Sequence, residues 1–153
     1  MIESNLTTFG KSKILIIDGD RGANYPNKSE LSSSGHCVFL STGNVTKNGF
    51  DFGSIDFIDE EKDSALRKGK VQIGDIVLTT RGTVGNVALI SETIPYQNIR
   101  INSGMVIIRV DPDKYVPYFF WIFLFIYFFY NTHFTYFEKC SLYIFLGVKQ
   151  YKN

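Results

Sequence analysis

The sequence predicts an α+β domain in which a mixed or antiparallel β-sheet forms most of the core and a few short helices lie beside it. Short apolar runs recur along the chain between polar, glycine-containing turns, which is typical of buried strands. One segment carries helix-capping signals, and an aromatic-rich helix or tail follows the last predicted strand. The apolar runs lie at residues 14–17, 37–40, 76–78, 87–90 and 105–108.

A predicted β-hairpin over residues 74–90 is the central element of the sequence. Gly82 and Gly85 allow the backbone to turn between its two apolar strands. An arginine can donate two hydrogen bonds to guanine or phosphate, asparagine can pair with adenine, and threonine can contact either. The tip therefore predicts a nucleic-acid contact through Arg81, Thr83 and Asn86. An ordinary polar hairpin loop is the alternative.

The clearest predicted helix covers residues 59–68. Asp59 suits the N-cap, Glu60 and Glu61 suit the positive end of the helix dipole, and Gly69 suits the position after the last turn. We interpret these carboxylates as part of a solvated, capped helix, not as catalytic acids or metal ligands.

Polar residues at the ends of two other apolar runs are further candidates for binding. Arg21 lies in a Gly- and Asp-rich turn that lacks the distal Glu of a calcium loop and the Gly-Lys-Ser/Thr of a phosphate loop. Thr42 and Asn44 directly follow the run at residues 37–40, and recognition residues are frequent on loops at strand ends. A solvated charge at Arg21 and simple turn chemistry at Thr42 and Asn44 are the alternatives.

Arg100 and Asn102 are separated by Ile101, so in a strand they point to the same face. We expect that face to lie beside the hairpin tip.

Composition limits the possible functions. The chain has 153 residues, enough for one domain with a substantial core, and a formal net charge of +1, so no global positive field attracts nucleic acid. A DNA-binding function would depend on local contacts. The two cysteines have no metal-ligand spacing and indicate a reducing, cytoplasmic compartment. His36 and His133 match no catalytic or metal-binding pattern, so no cofactor, metal or active site is predicted.

Three segments in order resemble the target recognition domain of the specificity subunit of type I restriction-modification systems. Their sequences are IDGDRGANYP at residues 17–26, GDIVLTTRGTVGNVALI at residues 74–90 and NIRINSGMVIIR at residues 98–109. The resemblance extends from about residue 16 to residue 124, and three ordered segments are more specific than one. It implies a curved β-sheet domain over residues 1–124.

The resemblance also implies a sequence-specific DNA-binding domain without catalytic activity. In that family each recognition domain contacts one half of a bipartite DNA target, and separate subunits carry out the chemistry. The predicted partners are double-stranded DNA, the modification (methyltransferase) subunits and, through them, the restriction subunit. The predicted DNA contacts are Arg81, Thr83, Asn86, Arg100 and Asn102, with Arg21, Thr42 and Asn44 as weaker candidates.

The end of the chain departs from the family. Residues 115–137 contain no Lys, Arg, Asp or Glu and more than half of the chain's Phe, Tyr and Trp. About 20 uncharged apolar residues can span a membrane, so a small membrane-associated protein is an alternative function, although Asn131, His133 and Pro117 interrupt the segment. The family's long pairing helix and second recognition domain do not follow. We therefore expect a truncated or frame-disrupted copy with an aberrant tail over residues 125–153, and an inactive fragment is a further alternative.

Overall fold

Nine β-strands and two α-helices form the part of the chain that the computed structural model describes, residues 14–113 and 116–130 without the side chains of residues 128–130. The strands are β1 (Leu15–Asp18), β2 (Cys37–Leu40), β3 (Val45–Thr46), β4 (Gly49–Phe50), β5 (Asp56–Ile58), β6 (Ile76–Thr79), β7 (Val87–Leu89), β8 (Ile99–Ile101) and β9 (Met105–Arg109). The helices are α1 (Glu60–Ala65) and α2 (Pro117–Tyr130), and two single 3₁₀ turns cover Lys28–Glu30 and Thr42–Asn44.

The strands form two main sheets and one small hairpin. The four-stranded sheet has the order β1-β9-β6-β7 and is antiparallel throughout. The three-stranded sheet has the order β5-β2-β8, with β2 antiparallel to β5 and parallel to β8. The β3–β4 hairpin forms a separate two-stranded element. This architecture confirms the predicted α+β class with mixed and antiparallel sheets.

The largest hydrophobic cluster joins the two main sheets. Leu40 and Ile101 from the three-stranded sheet share it with Val77 and Ile107 from the four-stranded sheet. Side chains alternate along a strand, so the residues next to Val77 and Ile107 in sequence lie on the opposite face of the four-stranded sheet. There they form a second cluster with Leu124 of α2. Strands β6 and β9 are therefore covered on both faces, which explains why their apolar runs are continuous.

Helix α1 is shorter than the sequence predicts. Its N-cap is Asp59, as expected, and the Asp59 side chain accepts a hydrogen bond from the backbone N–H of Lys62 at 2.7 Å. The predicted end at residue 68 is wrong, because the helix stops at Ala65 and Leu66 adopts an extended conformation. The side chain of Leu66 is buried there, in a third cluster with Phe39 and Ile58.

Helix α2 packs along one side of the four-stranded sheet. The indole N–H of Trp121 donates a hydrogen bond to the backbone oxygen of Val87 at 3.3 Å. Leu124 is buried on the face of the helix that packs against the sheet. Phe119 and Phe123 point outward and are 70% and 64% exposed. The helix runs across the predicted domain boundary at residue 124, and most of the predicted aberrant tail lies outside the described residues. In the described parts of the chain, no helix has the length and apolar character needed to cross a membrane.

Candidate nucleic-acid interface

The turn at residues 102–104, which we call the central turn, carries the chain from one main sheet to the other. It connects β8 of the three-stranded sheet to β9 of the four-stranded sheet. The backbone N–H of Asn102 donates to the oxygen of Leu40 at 3.0 Å, and the side-chain oxygen of Asn102 accepts from the N–H of Gly104 at 2.9 Å. The oxygen of Gly104 accepts hydrogen bonds from the N–H groups of Thr80 and Arg81, at 2.9 and 3.1 Å. The central turn is therefore bonded both to the end of β2 and to the tip of the β6–β7 hairpin.

Two further loops contact the central turn. The methyl group of Thr42 lies so close to Gly104 that a Cβ atom on Gly104 would be 2.6 Å from it. On the other side, a Cβ on Gly19 would be 2.2 Å from the backbone oxygen of Asn102, and the guanidinium of Arg21 donates to the oxygen of Ser103 at 3.4 Å. Four loops thus meet around the central turn. We call residues 18–22, 41–44, 80–86 and 102–104 the loop cluster.

Arg81 is the most available cation in the loop cluster. Its side chain is exposed, and among the described residues no hydrogen-bond or ion-pair partner engages its guanidinium. Gly82 beside it has a φ of +64°, and Gly85 has a φ of +96°, so glycine is required for the tight tip. The guanidinium of Arg109, by contrast, forms a bidentate ion pair with the carboxylate of Asp75. The fold thus holds the backbone of Arg81 and leaves its charged group free.

The other predicted contacts in the loop cluster differ in how much of each side chain remains available. Thr83 is exposed at the hairpin tip, and Thr42 is half-buried against Gly104. Asn86 is half-buried, and its amide nitrogen donates to the oxygen of Val45 at 2.7 Å. The side-chain oxygen of Asn102 is used within the central turn.

Arg21 is partly neutralised. Its guanidinium lies 3.4 Å from the carboxylate of Asp18, and both side chains are partly exposed. The neighbouring Asp20 is directed inward, accepting hydrogen bonds from the backbone N–H groups of Gly22 and Arg67 at 2.7 and 2.8 Å. The bond from Gly22 is the main cause that lowers the pKa of Asp20. The carboxylates of this loop are therefore largely satisfied by their own surroundings.

Arg100 does not belong to the exposed set, contrary to the prediction from strand alternation. It is 6% exposed, and its Nε donates to the carboxylate of Asp63 at 2.5 Å. Its remaining nitrogens donate to the backbone oxygens of Asp63, Leu66 and Lys68. With every nitrogen bonded inside the protein, Arg100 anchors the end of α1 to β8 and is not positioned to contact DNA.

Asn44 is also structural. It is 5% exposed, and its side-chain oxygen accepts from the N–H and hydroxyl of Ser41, both at 2.9 Å. Its amide nitrogen donates to the oxygens of Asp51 and Ser54. All the hydrogen-bonding atoms of this amide are used to shape the turn, so Asn44 is removed from the set of DNA contacts.

Asp63 is a buried charged residue with a structural role that the sequence analysis did not predict. Its carboxylate accepts from Arg100 and, at 2.6 Å, from the ammonium of Lys70, and His36 lies 3.4 Å away. Burial acts to raise the pKa of Asp63, but the hydrogen bonds from Lys70 and Arg100 outweigh it and lower the pKa. No sequence signal distinguishes Asp63 from the solvated acids beside it. His36 is exposed, and His133 lies outside the described residues.

The described residues include no group of His, Cys, Asp or Glu side chains arranged to bind a metal. Cys37 is a buried free thiol whose pKa is raised by burial to about 12, so it is protonated at neutral pH.

Replacing Asp63 by Asn should lower the free energy of unfolding at pH 7 by about 3–5 kcal/mol, because it leaves Arg100 buried without a counter-charge. The folded-state pKa of Asp63 lies below its ordinary value of 3.8. Its stabilising contribution is therefore complete above that value and is lost as the pH falls through the folded-state pKa. Urea unfolding of both proteins at several pH values should give curves that converge in acid.

Glu61→Gln is the matched control, since Glu61 is an exposed acid of the same helix. It should change stability by less than about 0.5 kcal/mol. Equal losses for the two variants would contradict the structural role of Asp63.

Gly104→Ala should destabilise the domain by about 1–3 kcal/mol, because the added methyl overlaps that of Thr42. Thr42→Ser removes the Thr42 methyl and keeps its hydroxyl, so adding it to Gly104→Ala should recover most of the loss. A double-mutant cycle by thermal or urea unfolding measures this coupling. Additive effects would show that the two loops are not in contact.

Comparison with solved structures finds chains of similar fold. The HsdS subunit from Thermoanaerobacter tengcongensis superposes on 75% of this chain with a TM-score of 0.51 and 19% sequence identity. The chain spans 25% of the length of that subunit. No protein-family model matches the chain, and no curated protein matches it. The likeness supports an HsdS-like fold, in agreement with the resemblance noted in the sequence.

Proposed function

We propose that this domain recognises a specific sequence in double-stranded DNA as the target recognition domain of a type I restriction-modification specificity subunit. The observation that carries the proposal is the free guanidinium of Arg81, which stands on a hairpin tip bonded to the central turn. A base-contacting group must be held at a fixed depth while its hydrogen-bond donors remain available, and Arg81 meets both conditions.

The surroundings of Arg81 support the same function. Thr83, Thr42 and Asn102 supply hydroxyl and amide groups within the loop cluster, and these groups form hydrogen bonds with base edges or phosphates. Arg21 contributes a second, partly neutralised cation on the far side of the central turn. We assign direct base contact to Arg81 and Thr83, and supporting contacts to Thr42, Asn102 and Arg21. Asn86 joins the hairpins and is a positioning residue.

The proposal assigns no chemical step to this domain. Modification and restriction would be carried out by partner subunits, and this domain would hold them at one half of a bipartite target. The resemblance of the sequence to specificity subunits supports that assignment, since separate subunits carry out the chemistry in that family. A function limited to recognition requires a rigid scaffold with polar loops, which is what the two sheets and the loop cluster provide.

The proposal is tested by selecting duplexes from a random-sequence pool with the full 153-residue chain. The expected result is enrichment of a short defined motif. A chain that binds no duplex, or binds all of them equally, would contradict sequence recognition.

Arg81→Ala should then weaken binding to the selected duplex by about 1–3 kcal/mol and relax the preference at one base position. Arg81→Lys should recover little of this loss, because lysine lacks the planar two-donor fork. Fluorescence anisotropy titrations against the selected duplex and single-base variants measure both effects. Lys28→Ala is the control, because Lys28 is exposed in the 3₁₀ turn that is tied through Glu30 to α1. An Arg81→Ala variant with unchanged affinity and preference would exclude Arg81 as the base contact.

A further inference from the structure

We propose that the β3–β4 hairpin forms a second DNA contact, in which the ammonium of Lys47 binds a backbone phosphate beside the bases contacted by the loop cluster. This inference rests on the proposed function and extends it to a residue that neither the sequence resemblance nor the structural likeness assigns. It separates a sequence-independent contact at Lys47 from the base-specific contact at Arg81.

The hairpin is attached directly to the loop cluster. Its first residue, Val45, follows the Thr42–Asn44 turn and is 1% exposed. The oxygen of Val45 accepts the 2.7 Å hydrogen bond from the side chain of Asn86, at the base of the β6–β7 hairpin tip. Lys47 lies two residues beyond Val45, in the turn between β3 and β4. The base of the Lys47 hairpin is therefore fixed to the base of the Arg81 hairpin.

The tip of the hairpin has a defined conformation. The hydroxyl of Thr46 donates to the oxygen of Gly49 at 2.9 Å and accepts from the N–H of Asn48 at 3.1 Å. Gly49 has a φ of +101°, which closes the two-residue turn. On the following strand, the N–H of Asp51 donates to the oxygen of Asn44 at 2.8 Å. These bonds reduce the conformational freedom that would be lost when the tip meets a ligand.

The charge of Lys47 is available at this tip. Lys47 and Asn48 are both exposed, and within the described parts of the chain no carboxylate forms an ion pair with Lys47. Lys62 and Lys70, in contrast, are paired with Glu30 and Asp63. A flexible, compact ammonium suits a phosphate oxygen better than the two-acceptor edge of a guanine. Since each DNA strand presents a phosphate about every 3.4 Å along the helix axis, such a contact needs no particular base.

Lys47→Gln tests the assignment with Lys28→Gln as the matched control, because both remove one exposed positive charge. Binding of the full-length chain to the selected duplex and to a scrambled duplex is titrated over a series of salt concentrations. Lys47→Gln should weaken binding to both duplexes by the same factor, roughly fivefold to tenfold at 0.1 M salt. It should also reduce the slope of log K against log salt by about 0.9, and leave the ratio between the duplexes unchanged. Lys47→Arg should keep the wild-type slope.

The outcomes separate this inference from the proposed function. If the wild-type chain prefers the selected duplex but Lys47→Gln behaves like Lys28→Gln, the phosphate contact is wrong and the function stands. A change in base preference in Lys47→Gln also overturns the inference, because it would mean that the side chain contacts a base. If the wild-type chain binds neither duplex, the proposed function itself is overturned. Unchanged thermal midpoints in both variants confirm that the affinities refer to folded protein.

Discussion

The central turn is the constraint on which the rest of the loop cluster depends. It has three residues, yet it joins the two sheets. Its Gly104 oxygen also accepts the hydrogen bonds from the backbone N–H groups that fix the tip of the β6–β7 hairpin. Gly104 must lack a side chain because Thr42 occupies the space, and Gly19 must lack one because Asn102 does. A loop cluster assembled in this way derives its rigidity from the buried strands behind it, although its outer side chains are polar.

The arginines show how one residue type serves two purposes in this fold. Arg100 and Arg109 are bonded to the carboxylates of Asp63 and Asp75, and they connect elements that are distant in sequence. Removing Asp63 would leave the charge of Arg100 buried without a partner, which is strongly destabilising. Arg81 has its backbone fixed and its guanidinium free. The proposed function therefore depends on a few exposed cations and not on the net charge of the chain, which is +1.

Much of the fold could be predicted from the sequence, because strands buried on both faces leave continuous apolar runs, as in β6 and β9. The hairpin tip was also predictable, since Gly82 and Gly85 allow the backbone conformations the turn uses. The prediction that Arg100 is exposed was wrong, because strand alternation gives the direction of a side chain but not the residues that surround it. The side chain of Arg100 meets Asp63, a helical residue 37 positions away in the sequence. The prediction for Asn44 was wrong for a similar reason, because a polar residue after a strand can hydrogen-bond either to a ligand or within its own turn.

Hydrogen–deuterium exchange of the full chain, free and with an excess of the selected duplex, tests the central claim most directly. If the four loops form one DNA-binding surface, protection on binding should appear together in residues 18–22, 41–44, 80–86 and 102–104. Residues 60–65 of α1, which is bonded to the buried Arg100 through Asp63, should exchange at the same rate in both states. Protection confined to α1, or none in the hairpin tip when the duplex is bound, would contradict the account.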